Sequence, residues 1–161
     1  MEIYILRHGI AEEGKPGGRD ADRALTAEGA TKLKSVLKRA RAINVAPTII
    51  LTSPYLRARQ TAEVAAEALR VKAALVETRS LVPESSPEAV WDEIRTVQTE
   101  TQILIAGHQP LLSLLYAFLM GAPSAQIDVK KGSLGRVDVN RFNGLPRGAL
   151  RWLIHPKLTG E

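Results

Sequence analysis

Glu2-Ile3-Tyr4-Ile5-Leu6-Arg7-His8-Gly9 opens the chain and decides how the rest is read. Residues 2 to 7 form an apolar run rich in β-formers that stops at a cation, an imidazole and a glycine. A second run ends the same way: Gln102-Ile103-Leu104-Ile105-Ala106 meets Gly107-His108-Gln109-Pro110. Between them lies Thr48-Ile49-Ile50-Leu51-Thr52, closed by Ser53-Pro54, and a short strand is expected over 73–77. Helical periods alternate with these runs. Thr26 can cap a helix reaching about residue 43, with Ala30, Leu33, Val36, Leu37 and Ala40 on one face. A second helix is expected over 55–69, with Val64, Ala65, Ala68 and Leu69 on its apolar face. Ser86-Pro87 starts a third, with Val90, Ile94 and Val97 inward. Residues 110 to 120 are Leu-rich nearly all round and predict a helix buried on most sides. Two weaker β-like runs, 133–139 and 149–154, flank a turn at Gly144 and Pro146.

Alternating strand and helix predicts an α/β fold. We expect one domain over 1–161, a three-layer α/β/α sandwich whose central sheet is mostly parallel. The short link between the last two runs makes them an antiparallel edge.

Composition narrows the chemistry. The chain has 161 residues, 45% apolar and 24% charged, which suits one globular domain and excludes disorder or low complexity. Cysteine is absent, so thiol catalysis, disulfides and cysteine-ligated metals are excluded. Three histidines are few for a metal cage, and neither a metal nor another cofactor is expected. No apolar run approaches the roughly 20 residues of a membrane span, and the opening lacks the cationic region and longer apolar stretch of a signal peptide. A cytoplasmic protein without membrane attachment is expected, and a monomer.

The formal charge of +5 is uneven. Residues 130–161 carry seven Lys and Arg against two Asp and Glu, while the preceding 129 residues balance. A basic segment can recruit acidic or phosphorylated partners, with Lys130, Lys131, Arg136 and Arg141 as the candidates. Its plainer reading is a solvated face of terminal strands. No aromatic ladder accompanies it, since Trp152 and Phe142 are isolated, so nucleic acid is not the expected partner.

Ligands of open α/β sheets bind beyond the carboxyl ends of the strands. Three such ends here carry Arg7-His8, Ser53-Pro54 with Arg57 a turn later, and His108. Two imidazoles beside planar guanidiniums suit phosphoryl transfer at a histidine. Neutral imidazole is a nucleophile, and arginine binds phosphate bidentately without losing its charge.

Four stretches carry a resemblance: Leu6-Arg7-His8-Gly9, Arg23-Ala24-Leu25-Thr26 with Gly29, Ser53-Pro54-Tyr55-Leu56-Arg57-Ala58-Arg59-Gln60-Thr61-Ala62, and Gly107-His108-Gln109-Pro110. In this order they resemble the histidine phosphatase superfamily, which includes the cofactor-dependent phosphoglycerate mutases. The short chain looks most like the SixA-type phosphohistidine phosphatases, which lack the inserted helical subdomain of the mutases. The resemblance implies that His8 is the nucleophile and forms a transient phosphohistidine. Arg7 and Arg57 would grip the phosphoryl oxygens. His108 would donate a further hydrogen bond and add its charge. Arg23 would be a rim contact to phosphate or substrate.

One departure bears on the substrate. Larger members supply a carboxylic acid between the third strand and the next helix. Here that region, residues 78–85, holds Glu84 as its one carboxylate. Glu84 is either that acid or simply a residue approaching the helix. A leaving imidazole needs less help than an alkoxide, so the expected substrate is a phosphohistidine-bearing signalling protein. The alternatives are a small phosphorylated metabolite and a non-catalytic phosphate- or RNA-binding module. Arg59 and His155 read as surface or structural residues, and Asp20 and Asp22 as members of a solvated loop. Residues 12–19 are either a lid or only a disordered connection.

Overall fold

A computed structural model describes residues 1–159. Six strands form one sheet: β1 Glu2–Arg7, β2 Ile49–Thr52, β3 Ala74–Glu77, β4 Gln102–Gly107, β5 Leu134–Asp138 and β6 Ala149–Ile154. Their order is β3-β2-β4-β1-β5-β6. The pairs β3–β2, β2–β4 and β4–β1 are parallel, while β1–β5 and β5–β6 are antiparallel. β5 is therefore the one reversed strand, and the antiparallel edge stands as expected.

Each side of the sheet is covered because successive strand residues face opposite ways. Ile3, Ile5, Ile103 and Ile105 pack with Val90 and Ile94 of α3 (Pro87–Thr96) and with Leu112 and Leu115 of α4 (Leu111–Leu119). Tyr4, Leu6, Leu104 and Ala106 pack with Leu33 and Leu37 of α1 (Ala27–Ala42) and Ala62 and Ala65 of α2 (Leu56–Leu69). The result is the three-layer sandwich. β1 and β4 lie at its centre and read as unbroken apolar runs because both their faces are buried.

The helices begin where their caps stand. Thr26 Oγ1 accepts from the Gly29 amide at 2.9 Å, and Ser86 accepts from Ala89 at 3.2 Å. Gly29, not Ala30, takes the buried position on the first turn of α1. A Cβ there would stand 2.4 Å from the Ile10 carbonyl oxygen, so only glycine lets α1 lie this close to the segment leaving β1. On α2 the inward face turns out to include Arg57, Ala58 and Thr61, and Val64 and Ala68 are only partly buried. The polar positions displace the expected stripe because this first turn serves the sheet edge rather than the core.

Candidate active site

β1, β4 and β2 are neighbours, and their register is level: Arg7 pairs with Gly107, and Thr52 with Ala106. The residues that follow each strand therefore emerge together at the carboxyl edge. The His8 amide still donates to the Gly107 carbonyl at 3.0 Å, and the Ser53 amide to the Ala106 carbonyl at 3.1 Å. The rings of His8 and His108 lie 5.1 Å apart. Arg57 arrives from the first turn of α2, its Nε 3.4 Å from His8 Nε2. Arg7, His8, Arg57, His108, Arg23 and Glu84 all line one cavity of about 280 Å³. The six residues drawn from distant parts of the sequence thus meet at one place.

Thr61 ties two of these parts together. Its hydroxyl accepts from the Gly9 amide at 3.2 Å and donates to the Arg57 carbonyl at 2.7 Å. Gln60 accepts from the Leu25 amide at 2.7 Å. A Cβ on Gly9 would stand 2.8 Å from Leu25 and Leu33 side-chain carbons, so the turn after His8 is packed too tightly for another residue to fit without repacking.

His8 is 6% exposed, and its Nδ1 lies 2.7 Å from the Gly9 carbonyl oxygen. A carbonyl can only accept, so Nδ1 carries the proton and Nε2 keeps a lone pair. Burial pushes the His8 pKa down to about 4; the Gly9 carbonyl opposes this, and Arg57, Arg7 and Lys131 add to it. His108 falls to about 3, again chiefly by burial, then by the repulsion of His8 and Arg57. Both rings are therefore neutral at pH 7. His108 carries no charge in the open site, because burial among cations disfavours a further one; the charge that the resemblance implies belongs to the site with a phosphoryl group bound.

Two buried nitrogens, Arg7 Nε and His108 Nδ1, have no hydrogen-bond partner among the described residues. Buried polar atoms without partners are uncommon, and both side chains line the same cavity. An oxyanion is the chemical group that would satisfy Arg7 Nε, and His108 Nδ1 as well when that nitrogen carries the ring's proton. Arg7 is held by its Nη1, which donates to the Val129 carbonyl at 2.7 Å.

Asp20 is exposed, as a solvated loop implies, but it is also paired with the site's arginines. Its carboxylate meets Arg57 Nη2 at 3.0 Å and Arg23 Nη1 at 2.9 Å, and its carbonyl accepts from Arg57 Nη1 at 2.8 Å. Asp20 is held below the usual carboxylate range, with the Arg23 hydrogen bond the largest cause and Arg57 adding to it. It is an ionised anchor and not a proton donor. The one sequence hint was the Asp20-x-x-Arg23 spacing; its reach to Arg57 is a tertiary fact. Asp22 does lie in solvent, paired with Arg19 at 2.8 Å. Residues 12–19 are exposed, and the Ala11–Leu25 bridge pins the base of the segment that holds them.

Glu84 is exposed and makes no hydrogen bond or ion pair among the described residues. Arg59 pairs on the surface with Glu77 at 3.2 Å, and His155 bonds Ser133 at 3.1 Å, as their plain readings required. Among the described residues, three cations of the basic segment are ion-paired. Arg136 is bound between Glu2 and Asp138, Arg151 also reaches Asp138, and Lys130 pairs with Asp128. Of its cations, Lys131 alone lines the cavity. Among the described residues no three His, Asp or Glu side chains gather as a metal would require, and no helix is long and apolar enough to cross a membrane.

A neutral imidazole lone pair among guanidinium and imidazole donors, at the carboxyl edge of a mostly parallel sheet, defines a phosphoryl-handling α/β protein. Comparison with known proteins narrows the class. Residues 3–81 match the model of the histidine phosphatase superfamily (branch 1). An uncharacterized protein of a Picosynechococcus species is 35% identical over 96% of this chain and 90% of its own length. The phosphohistidine phosphatase SixA of Escherichia coli is 27% identical over 74% of each chain. Among solved structures, the protein histidine phosphatase SixA complexed with tungstate superposes with a TM-score of 0.86 at 22% identity, covering 98% of this chain and 99% of that one. The alpha-ribazole phosphatase of Shigella flexneri gives 0.74 at 20% identity, with 97% of each chain covered. The chain belongs to the histidine phosphatase superfamily, and its fold is the phosphoglycerate mutase-like fold of SixA.

Proposed function

We propose that this phosphatase removes phosphate from nitrogen through a phosphohistidine on His8, and that its substrate is a protein carrying phosphohistidine. The observation that carries the reading is the state of His8: buried, neutral, its Nδ1–H committed to the Gly9 carbonyl and its Nε2 lone pair turned towards Arg57, whose Nε donates to it at 3.4 Å until a phosphoryl group takes its place. Nε2 forms a bond to phosphorus as the bond from phosphorus to the leaving imidazole breaks. The leaving nitrogen takes its proton from solvent. Water then attacks the phosphorus on His8, releasing orthophosphate and restoring Nε2. Arg7, Arg57 and His108 donate to the phosphoryl oxygens throughout, doing the work of charge stabilisation from the protein's own side chains.

The leaving group follows from the carboxylates. Asp20 is ionised between two guanidiniums, and Glu84 stands exposed at the rim. Asp20, held ionised, has no proton to give, and Glu84 is not buried as the acid for an alkoxide leaving group would be. The likeness to SixA proteins supports the same substrate class. One observation favours a second reading, a small phosphate ester: Glu84 does line the cavity, and an alpha-ribazole phosphatase shares the fold.

Purified protein assayed on a phosphohistidine carrier protein, a phosphoserine peptide and a panel of sugar phosphates tests this. The carrier should turn over fastest, with an acid-labile, alkali-stable phosphate trapped on His8, and EDTA should not change the rate. A faster ester reaction that collapses in Glu84→Gln would establish Glu84 as a working acid and the second reading as the better one.

A further inference from the structure

His108 sits beside the nucleophile, yet its contribution depends on which ring nitrogen carries the proton. The hydrogen bonds around Ser53 decide this. Ser53 is fully buried, and its Oγ lies 2.8 Å from His108 Nε2. The same Oγ accepts from the Tyr55 amide at 3.2 Å. A hydroxyl has one hydrogen to donate. The amide of Tyr55 cannot accept it, which leaves His108 Nε2 as its acceptor. If Nε2 carried the proton instead, the serine hydrogen would be buried without an acceptor and His108 Nδ1 would be a buried lone pair without a donor. With the serine donating, one group alone stays open: a proton on His108 Nδ1, the nitrogen that has no partner. Buried polar groups left unpaired are costly, so the first arrangement is the stable one.

We propose that Ser53 is a positioning residue that locks His108 as its Nδ1–H tautomer, so that a bound phosphoryl oxygen completes the ring's one open donor. The proposal rests on the phosphatase reading for its ligand, a phosphoryl oxygen, but the tautomer stands or falls by itself. Both histidines then carry their proton on Nδ1 and serve opposite ends. The Gly9 carbonyl turns His8's proton inward and leaves an electron pair at Nε2. Ser53 ties up His108's electron pair and leaves a proton. A site built this way offers phosphorus a nucleophile and its oxygens a donor, both neutral, with no proton moved beforehand. Tyr55 supports the same ring from the side, edge-on at 5.0 Å.

The wild-type protein itself gives the primary test. With three histidines in the sequence, the ring nitrogens of 15N-histidine-labelled protein can be assigned, and at pH 7 His108 should show Nδ1 protonated and Nε2 bare. Ser53→Ala should release the lock, populate the Nε2–H tautomer and weaken inorganic phosphate about tenfold, the worth of one lost hydrogen bond. Ser53→Thr, which keeps the hydroxyl, should restore the Nδ1–H signal. Loss of packing alone would not move the tautomer ratio. An Nε2–H signal for His108 in the wild type, or an unchanged ratio in a folded Ser53→Ala protein, overturns the inference even if the phosphatase works. Absence of turnover with the expected tautomer present overturns the functional reading and leaves the lock standing.

Discussion

The carboxyl edge of the sheet and the basic C-terminal segment are both rich in cationic side chains, and they use charge in opposite ways. In the segment, each arginine of the sheet is neutralised where it stands: Arg136 lies between Glu2 and Asp138, and Arg151 shares Asp138. At the edge, Arg7 Nε and His108 Nδ1 are buried without a hydrogen-bond partner among the described residues. The segment holds the larger net charge, yet the edge holds the unanswered donors. What marks a binding site is therefore charge and hydrogen-bonding capacity left open in a buried place. Partially exposed ion pairs of the first kind contribute about 1 kcal/mol or less each, while donors of the second kind gain their full worth when an anion arrives.

That contrast breaks first at His8. His8→Ala removes the attacking atom, and turnover of a phosphoramidate should fall by roughly 10⁴-fold or more. The far-UV spectrum and unfolding midpoint near pH 8 should change little, because the ring sits beyond the end of β1. Appreciable turnover in this variant would remove His8 from the mechanism.

Arg57→Lys tests whether an open charge suffices without its geometry. The ammonium cannot reach His8 Nε2 and Asp20 together as the fork does. A loss of about 10² to 10³-fold in kcat/KM is expected. A lysine enzyme near wild-type rate would show that point charge is enough.

Acid should weaken the edge before the segment. His8 and His108 have folded-state values of about 4 and about 3 against about 6.5 when unfolded. Above pH 6.5 the shifts have no effect on stability. As pH falls from there towards 4, the unfolded chain binds protons the folded chain refuses, so stability falls. His8 alone accounts for roughly 3 kcal/mol at the limit. Urea midpoints measured across this range should drop in the wild type and drop less in His8→Asn. Equal slopes for the two proteins would mean that His8 is not held neutral by burial.

A smaller effect is expected at Asp20, whose carboxylate occupies Arg57 and is itself 56% exposed. Asp20→Asn keeps an acceptor and removes the charge that competes with phosphate. Inorganic phosphate should bind a few-fold tighter, on the order of 1 kcal/mol, and product release should slow. Weaker binding would show that Asp20 serves chiefly to hold Arg57 in place.

Smallest of all is the segment's own part in recognition. Arg136→Ala should cost about 1 kcal/mol of stability or less and leave the salt dependence of activity on a protein substrate unaltered, because its charge is already answered. Lys131→Ala, at the cavity, should reduce that salt dependence. A change of salt dependence in Arg136→Ala would restore the basic-patch reading.

Much of this was legible in the chain before any coordinates. β1, β2 and β4 announced themselves as apolar runs, and the residues at their ends were placed on one edge by topology alone. Arg7, His8, Arg57 and His108 followed. Asp20 did not, because it sits in a polar, glycine-rich stretch with no periodicity, and its partner Arg57 is 37 residues away. Ser53's bond to His108 spans 55 residues and was hidden for the same reason. The charge of the C-terminal segment could be counted, but the ion pairs of its sheet arginines could not: Arg136 meets Glu2 through the β1–β5 pairing, across nearly the whole chain. Local pattern gives elements and their ends, whereas pairing of polar groups between elements is set only when the sheet closes.

The amide of His8 donates to Gly107, carrying the β1–β4 ladder one residue past the strand. These are the two innermost strands, so the last rung of the ladder lies next to the attacking ring. That amide should rank with the slowest to exchange with deuterium, opening only when the whole domain opens. A denaturant titration followed by activity should then trace the same curve as one followed by fluorescence. The enzyme would have no half-dead intermediate in which the fold persists and the nucleophile has already come adrift.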